Sequence, residues 1–293
     1  MIPTAHIRLA LLAGAAGDCI GGPREGRAAG HAELPAGPWR ISDDTALTMA
    51  TCRAIIAAGA VDPAAIAETF AREYRGGTYR GLGSSTTRAL RDLAQGAHWA
   101  LSGRTGEYAA GNGAAMRIAP LAFVLSAETA DERRLLRDVA RITHRNDEAS
   151  TAALAVVRAM HLVSAGTPAS LLARVANELP DTRVRDAVRS LAELPATASL
   201  EEAAALSGTS AHAPESVPLA IHLAARSSLS ASDAIGSAVR CGGDTDTIAS
   251  IAGQLCGAAG SPLPAPWLER LPIRDELEHL AAQLAELAEL SPS

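Results

Sequence analysis

The sequence predicts an all-α protein, folded as one compact domain over residues 1–293. Three observations carry that expectation. Long stretches rich in Ala and Leu repeat their apolar residues at the 3.6-residue spacing of a helix. No convincing series of strands and no fixed-period repeat appears between them. The Pro- and Gly-rich stretches Gly21–Pro38 and Gly260–Pro272 read as loops rather than linkers between domains.

Composition narrows the chemistry. A hydrophobic share of 48% supports a large core. No uncharged apolar run approaches the ~18 residues a membrane span needs. All 26 basic residues are arginine, which excludes a Schiff-base or phosphate-loop lysine. A net charge of −6 and 3% aromatics leave no basic, stacking surface for nucleic acid. Cys19, Cys52, Cys241 and Cys256 show neither paired spacing nor zinc-ligand spacing, so disulfides and structural zinc are not expected. The expectation is a cytoplasmic monomer with no membrane or nucleic-acid partner.

In chain order, Met1–Leu12 carries His6 and Arg8, lacks a secretory layout and reads as the first helix. It is expected to end among the glycines of Gly14-Ala15-Ala16-Gly17-Asp18-Cys19-Ile20-Gly21-Gly22-Pro23-Arg24-Glu25, with Asp18 in the turn and Glu25 in a loop. Taken alone, Asp18 there caps a turn and Glu25 is solvated. Ile41-Ser42-Asp43-Asp44-Thr45 opens a helix over Thr45–Ala60, marked by Ala46, Leu47, Ala50 and Ile55. Capping accounts for Ser42 and one aspartate, because their oxygens accept from free N–H groups and complement the dipole. It does not require a second adjacent aspartate.

Helices follow over Pro63–Tyr74 and Ser85–Leu101. Next comes Tyr108-Ala109-Ala110-Gly111-Asn112-Gly113-Ala114-Ala115-Met116-Arg117, where a glycine-flanked turn offers backbone N–H groups to an anion. The same turn is also a common structural element. His144 lies between helices Thr129–Arg141 and Glu148–Ala165, a position where histidine ordinarily caps or packs. Further helices are expected over Pro168–Glu178, Asp181–Leu194, Ser199–Leu206, Pro214–Arg226 and Ser230–Arg240.

Cys241-Gly242-Gly243-Asp244-Thr245-Asp246-Thr247 then leads into a helix over Thr247–Ala259, striped by Ile248, Ile251, Ala252 and Leu255. On an extended segment Asp244 and Asp246 would face one point. Two such charges repel unless a proton or a cation lies between them. Ala249, Gly253, Gly257 and Gly260 are small enough for a neighbouring element to approach closely. The last helix, Asp275–Leu290, has the stripe Leu277, Leu280, Leu284, Leu287.

Together these junctions resemble the ADP-ribosylglycohydrolase family. The matching elements keep the family's order: Gly17-Asp18-x-x-Gly21 with Glu25, Ser42-Asp43-Asp44-Thr45, Gly111-Asn112-Gly113-x-x-Met116-Arg117, His144, and Gly243-Asp244-Thr245-Asp246-Thr247. Arg80–Thr86 is loosely similar to a glycine-rich stretch near the family's substrate entrance. The resemblance implies an orthogonal helical bundle with a dimetal cleft formed by loops and helix N-termini. It implies two Mg²⁺ or Mn²⁺ ions on Ser42, Asp43, Asp44, Asp244, Asp246 and Thr247, an all-oxygen set suited to hard cations. It makes Glu25 the catalytic acid or base, and Asp18 a brace for the metal site. Gly111, Asn112 and Gly113, with Tyr108, would hold a pyrophosphate, and His144 would contact bound ADP-ribose.

The activity implied is hydrolysis of the bond linking ADP-ribose to a protein side chain, arginine first. The alternatives are serine-linked, O-acetyl- or poly(ADP-ribose) substrates, a non-catalytic ADP-ribose-binding or structural relative, and a dimetal phosphoesterase acting on a nucleotide.

Overall fold

The computed structural model describes residues 2–30, 34–166 and 170–290. Among these the helices are α1 (Thr4–Gly21), α2 (Asp43–Ala58), α3 (Pro63–Arg75), α4 (Ser84–Ala94), α5 (Trp99–Ser102), α6 (Ala119–Ala122), α7 (Ala130–Arg141) and α8 (Asp147–Ser164). They continue with α9 (Leu171–Glu178), α10 (Arg183–Ala192), α11 (Leu200–Ser207), α12 (Ala213–Arg226), α13 (Ala231–Cys241), α14 (Thr245–Ala258), α15 (Ala265–Arg270) and α16 (Arg274–Leu290). The all-α expectation holds. The exception is a parallel pair of two-residue strands, β1 (Arg104–Thr105) and β2 (His144–Arg145), with Arg104 opposite His144.

Helix α14 is buried along its whole length, its polar residues Asp246, Thr247, Ser250 and Gln254 included. Its closest neighbour is α1, and glycine lets the two backbones touch. A Cβ on Gly17 would lie 2.3 Å from the Ala249 carbonyl oxygen, and one on Gly21 2.4 Å from that of Thr245. From the other side, a Cβ on Gly253 or Gly257 would lie 2.4 Å from the carbonyl oxygen of Ala13 or Leu9. The expected close approach at Gly253 and Gly257 is therefore present.

The same packing corrects the first helix, which does not end after Leu12 but continues to Gly21. Glycine inside a helix costs about 1 kcal/mol against alanine, and here it permits contact between two helix backbones. Asp18 is consequently a helical residue, not a turn residue.

Three further boundaries differ. The expected helix Ser85–Leu101 divides into α4 and α5 because Gly96 adopts φ +94°. The expected loop Gly260–Pro272 contains α15, held by an edge-to-face contact of Trp267 with Trp39 at 6.2 Å. Helix α14 begins at Thr245, so Asp244 is its N-cap and Asp246 stands in its first turn. Asp244 and Asp246 therefore do not share an extended segment. The expected starts at Met1 and Pro168 lie outside the described residues.

The remaining ends fall within two residues of expectation, set by side-chain caps such as the capping boxes Thr129–Glu132 and Ser199–Glu202. The helices enclose one contiguous apolar core. No helix among the described residues is long and apolar enough to cross a membrane.

Candidate active site

The C-terminal end of α1 and the N-terminal ends of α2 and α14 meet at one end of the bundle. Ser42 caps α2 by accepting from the Asp44 N–H at 3.1 Å. Asp18, fully buried in α1, accepts from the N–H groups of Ser42 (3.0 Å) and Thr45 (3.2 Å) and from the Thr45 hydroxyl (2.5 Å). It thereby fastens α1 to the positive end of α2. Burial pushes its carboxyl up to about 6, against the lowering effect of the bonds from Thr45 and Ser42.

The start of α14 is clasped in a similar way. Gly242 and Gly243 adopt φ +72° and +75°, conformations that favour glycine. A Cβ on Gly243 would lie 2.2 Å from the Thr209 carbonyl oxygen, which accepts the Asp244 N–H at 2.7 Å. Gly243 also forms an antiparallel bridge with Arg27: the Gly243 N–H donates to the Arg27 carbonyl at 2.9 Å, and the Gly26 N–H donates to the Gly243 carbonyl at 2.8 Å. Those bonds tie the loop bearing Glu25 to the residue before Asp244.

The carboxylates now converge. Glu25, Asp244 and Asp246 each present an oxygen, all within 4.8 Å of one another. Glu25 thus sits inside the acidic cluster. Asp44 Oδ2 accepts from the hydroxyls of Ser42 and Thr247, each at 3.3 Å, which links the two aspartate motifs across 203 positions. The other oxygen, Asp44 Oδ1, is buried without a partner among the described residues.

Glu25, Asp43, Asp44, Asp244, Asp246 and Thr247 line a cavity of about 560 Å³, within the usual range for a small-molecule site. Ser42 lines a second cavity of about 350 Å³ instead, which shares Glu25 and Asp246 with the first.

Burial chiefly raises Asp43 to about 7 and Asp244 to about 8, and lifts Asp44 well above the usual carboxylate range. The charge of Asp246 is the first cause raising Glu25, with burial second. Crowded, buried acids with an orphaned oxygen and an all-oxygen donor set fit a hard divalent cation. A cation would also relieve the repulsion.

The glycine-flanked turn does more than form an opening. Asn112 donates from its side-chain amide to Asp244 Oδ2 and, at 2.9 Å, to Ser216 Oγ. Its backbone N–H donates to the Ala211 carbonyl at 3.0 Å, so Asn112 braces the cluster while Gly111 and Gly113 line the cavity. Those glycines also make room for His144: a Cβ on Gly111 would lie 3.1 Å from His144 Nε2, and one on Gly113 2.9 Å from Cε1. Burial, then the charges of Arg117 and Arg104, lower the His144 imidazole to about 3, so it is neutral. Tyr108 is 84% exposed and lines the same cavity.

Arg183, His212 and Glu215 also line the cavity, and no sequence signal points to them. Gly81 and Gly83–Thr86 do so as well, and for them the signal was the glycine-rich stretch Arg80–Thr86. Gly81 adopts φ +85°, and a Cβ there would lie 3.2 Å from Asp43 Oδ1.

Comparison with known proteins gives a consistent match. The family described as ADP-ribosylglycohydrolase matches residues 3–293. ADP-ribosylhydrolase ARH3 of Danio rerio is 28% identical, covering 96% of this chain and 90% of that protein. The ADP-ribosyl-[dinitrogen reductase] glycohydrolase of Rhodospirillum rubrum is 28% identical, covering 94% of each. A solved structure titled ADP-ribosylglycohydrolase-related protein complex superposes with a TM-score of 0.77 at 29% identity, over 97% of this chain and 98% of that one.

Proposed function

Because the chain belongs to the ADP-ribosylglycohydrolase family, hydrolases of ADP-ribose glycosidic bonds, we propose that it releases ADP-ribose from a modified protein side chain, arginine first. The observation that carries this reading is the convergence of Glu25, Asp244 and Asp246 in the 560 Å³ cavity. A catalytically silent binder would have no need of so many crowded acids. The similarity to ADP-ribosylarginine hydrolase Tri1 of Pseudomonas putida, 27% identical over 92% of this chain and 70% of that protein, supports an arginine acceptor.

Asp43, Asp44, Asp244 and Asp246, with Ser42 and Thr247, would hold two Mg²⁺ or Mn²⁺ ions. When bound, these supply positive charge to orient the ribose hydroxyls and lower the pKa of water. Glycosidic cleavage passes through an oxocarbenium-like state, which nearby carboxylates stabilise. Glu25 holds or moves the proton exchanged between water and the departing side chain, a task suited to a carboxyl that the charge of Asp246 holds above its ordinary range. Asn112 keeps Asp244 aimed, His144 meets an oxygen of the nucleotide, and Gly111 and Gly113 let the pyrophosphate approach the backbone. Tyr108, exposed at the same cavity, would join them at the pyrophosphate.

One observation favours a second acceptor. The smaller cavity beside Glu25 sets Arg40 and Arg80 against Asp18, Glu25 and Asp246, a mixed charge that also admits a neutral serine hydroxyl. Measuring ADP-ribose release from arginine-linked and serine-linked peptides, with Mg²⁺ and with Mn²⁺, separates the two. Turnover of neither peptide with either metal overturns both.

A further inference from the structure

Arg117 has no part in the chemistry described so far, yet it is fully buried. Its guanidinium lies over the Phe70 ring at 5.1 Å, and Nη2 donates to the Thr143 hydroxyl at 2.7 Å. Among the described residues Nε and Nη1 have no hydrogen-bond partner, and no carboxylate forms an ion pair with it. A buried arginine left so poorly satisfied is unfavourable for stability. Its single hydrogen bond therefore calls for an explanation.

That bond is the first of two. Thr143, also fully buried, has its hydroxyl oxygen 2.8 Å from His144 Nδ1. A guanidinium can only donate, so the Thr143 oxygen accepts from Arg117. Among the described residues the hydroxyl proton then has one acceptor, Nδ1 of His144. The opposite arrangement, with Nδ1–H donating to the same oxygen, would leave a buried hydroxyl proton unpaired. With Nδ1 accepting, the proton of the neutral imidazole resides on Nε2. The Cε1–Nε2 edge is the one against Gly111 and Gly113, the glycines that line the large cavity with it.

We propose that Arg117 is a positioning residue which, through Thr143, fixes His144 as its Nε2–H tautomer. The cavity then meets an uncharged hydrogen-bond donor there and never a nitrogen lone pair. Such a donor recognises an oxygen acceptor, a phosphate or ribose oxygen, and rejects a ligand whose donor groups point at this spot. The tautomer follows from the hydrogen bonds alone; only the identity of the acceptor rests on the ADP-ribose reading above.

The test is a long-range ¹H–¹⁵N correlation spectrum of the full-length protein with ¹⁵N-labelled histidines. His144 is assigned among the eight histidines by its absence in His144→Gln. The expected pattern is an unprotonated Nδ1 and a protonated Nε2. A protonated Nδ1, or an even mixture of tautomers, overturns the proposal without any variant of the relay. Thr143→Ser should retain the pattern, whereas Thr143→Val should lose the preference and weaken ADP-ribose binding by roughly tenfold in calorimetry. Unchanged tautomer and affinity in a folded Thr143→Val protein would also overturn the positioning role. An Nε2–H pattern in a protein whose His144 signals ignore added ADP-ribose would uphold the relay and remove the ADP-ribose reading instead.

Discussion

The side-chain amide of Asn112 donates to Oδ2 of Asp244, and a second bond from the same nitrogen holds Ser216 Oγ at 2.9 Å. A turn with the appearance of an anion site is thus also a strut for the acidic cluster. Partners that orient metal-binding groups typically contribute 10- to 100-fold to affinity or activity. Asn112→Ala should therefore lower both Mn²⁺ affinity and ADP-ribose release by roughly 10- to 100-fold. Metal titration beside a release assay checks this, and unchanged metal affinity would remove the bracing role.

Asp246→Ala should lose metal affinity and activity together. Glu25→Gln should retain metal binding while turnover falls by roughly 100-fold or more, the usual contribution of a general acid or base. Normal turnover in Glu25→Gln would take Glu25 out of the mechanism.

The crowding of acids also has a consequence for stability. Asp18, Asp43 and Asp244 are raised by burial to about 6, 7 and 8, above their values in an unfolded chain. Through these carboxyls the folded protein binds more protons than the unfolded one, an excess opposed below about pH 6.5 by His144, lowered to about 3, and unopposed from there to about pH 8. Stability of the metal-free protein should fall as pH rises from about 6.5 to about 8, where the carboxyls act unopposed. Saturating Mg²⁺ or Mn²⁺ should flatten that decline, since the ion replaces the protons. Thermal melts across the window, with and without metal, measure both slopes.

Contact between the backbones of α1 and α14 gives the sharpest packing test. Gly17→Ala places a Cβ 2.3 Å from a backbone oxygen and should destabilise at the upper end of the roughly 1–3 kcal/mol typical of overpacking. Gly22→Ala, whose Cβ meets nothing within 4 Å, should be close to neutral. Urea denaturation of the pair distinguishes a packing role for Gly17 from a general aversion to alanine in this stretch.

Much of the protein is legible from residue type and spacing. The apolar periodicity of α2, α8 and α14 declares helices because the pattern is local, and Ser42, Thr129 and Ser199 mark their starts by capping chemistry that acts over three residues. The pairs Asp43-Asp44 and Asp244-x-Asp246 declare a charge problem that wants a cation, again within a few positions.

What only the tertiary structure decided depends on partners far along the chain. Gly17 and Gly21 look like the end of a helix until α14 supplies the backbone they pack against, and Gly14 until α14 supplies the Gln254 side chain; with them Asp18 moves from a turn into the core. Glu25 stays exposed to solvent, but only the bridge from Arg27 to Gly243 brings its loop against Asp244 and makes it part of the acidic cluster. Arg117, Thr143 and His144 carry no joint signal in the sequence, because a hydroxyl chooses its donor and acceptor only after folding has placed both beside it. Local spacing determines which groups carry charge; long-range packing determines which of those charges meet.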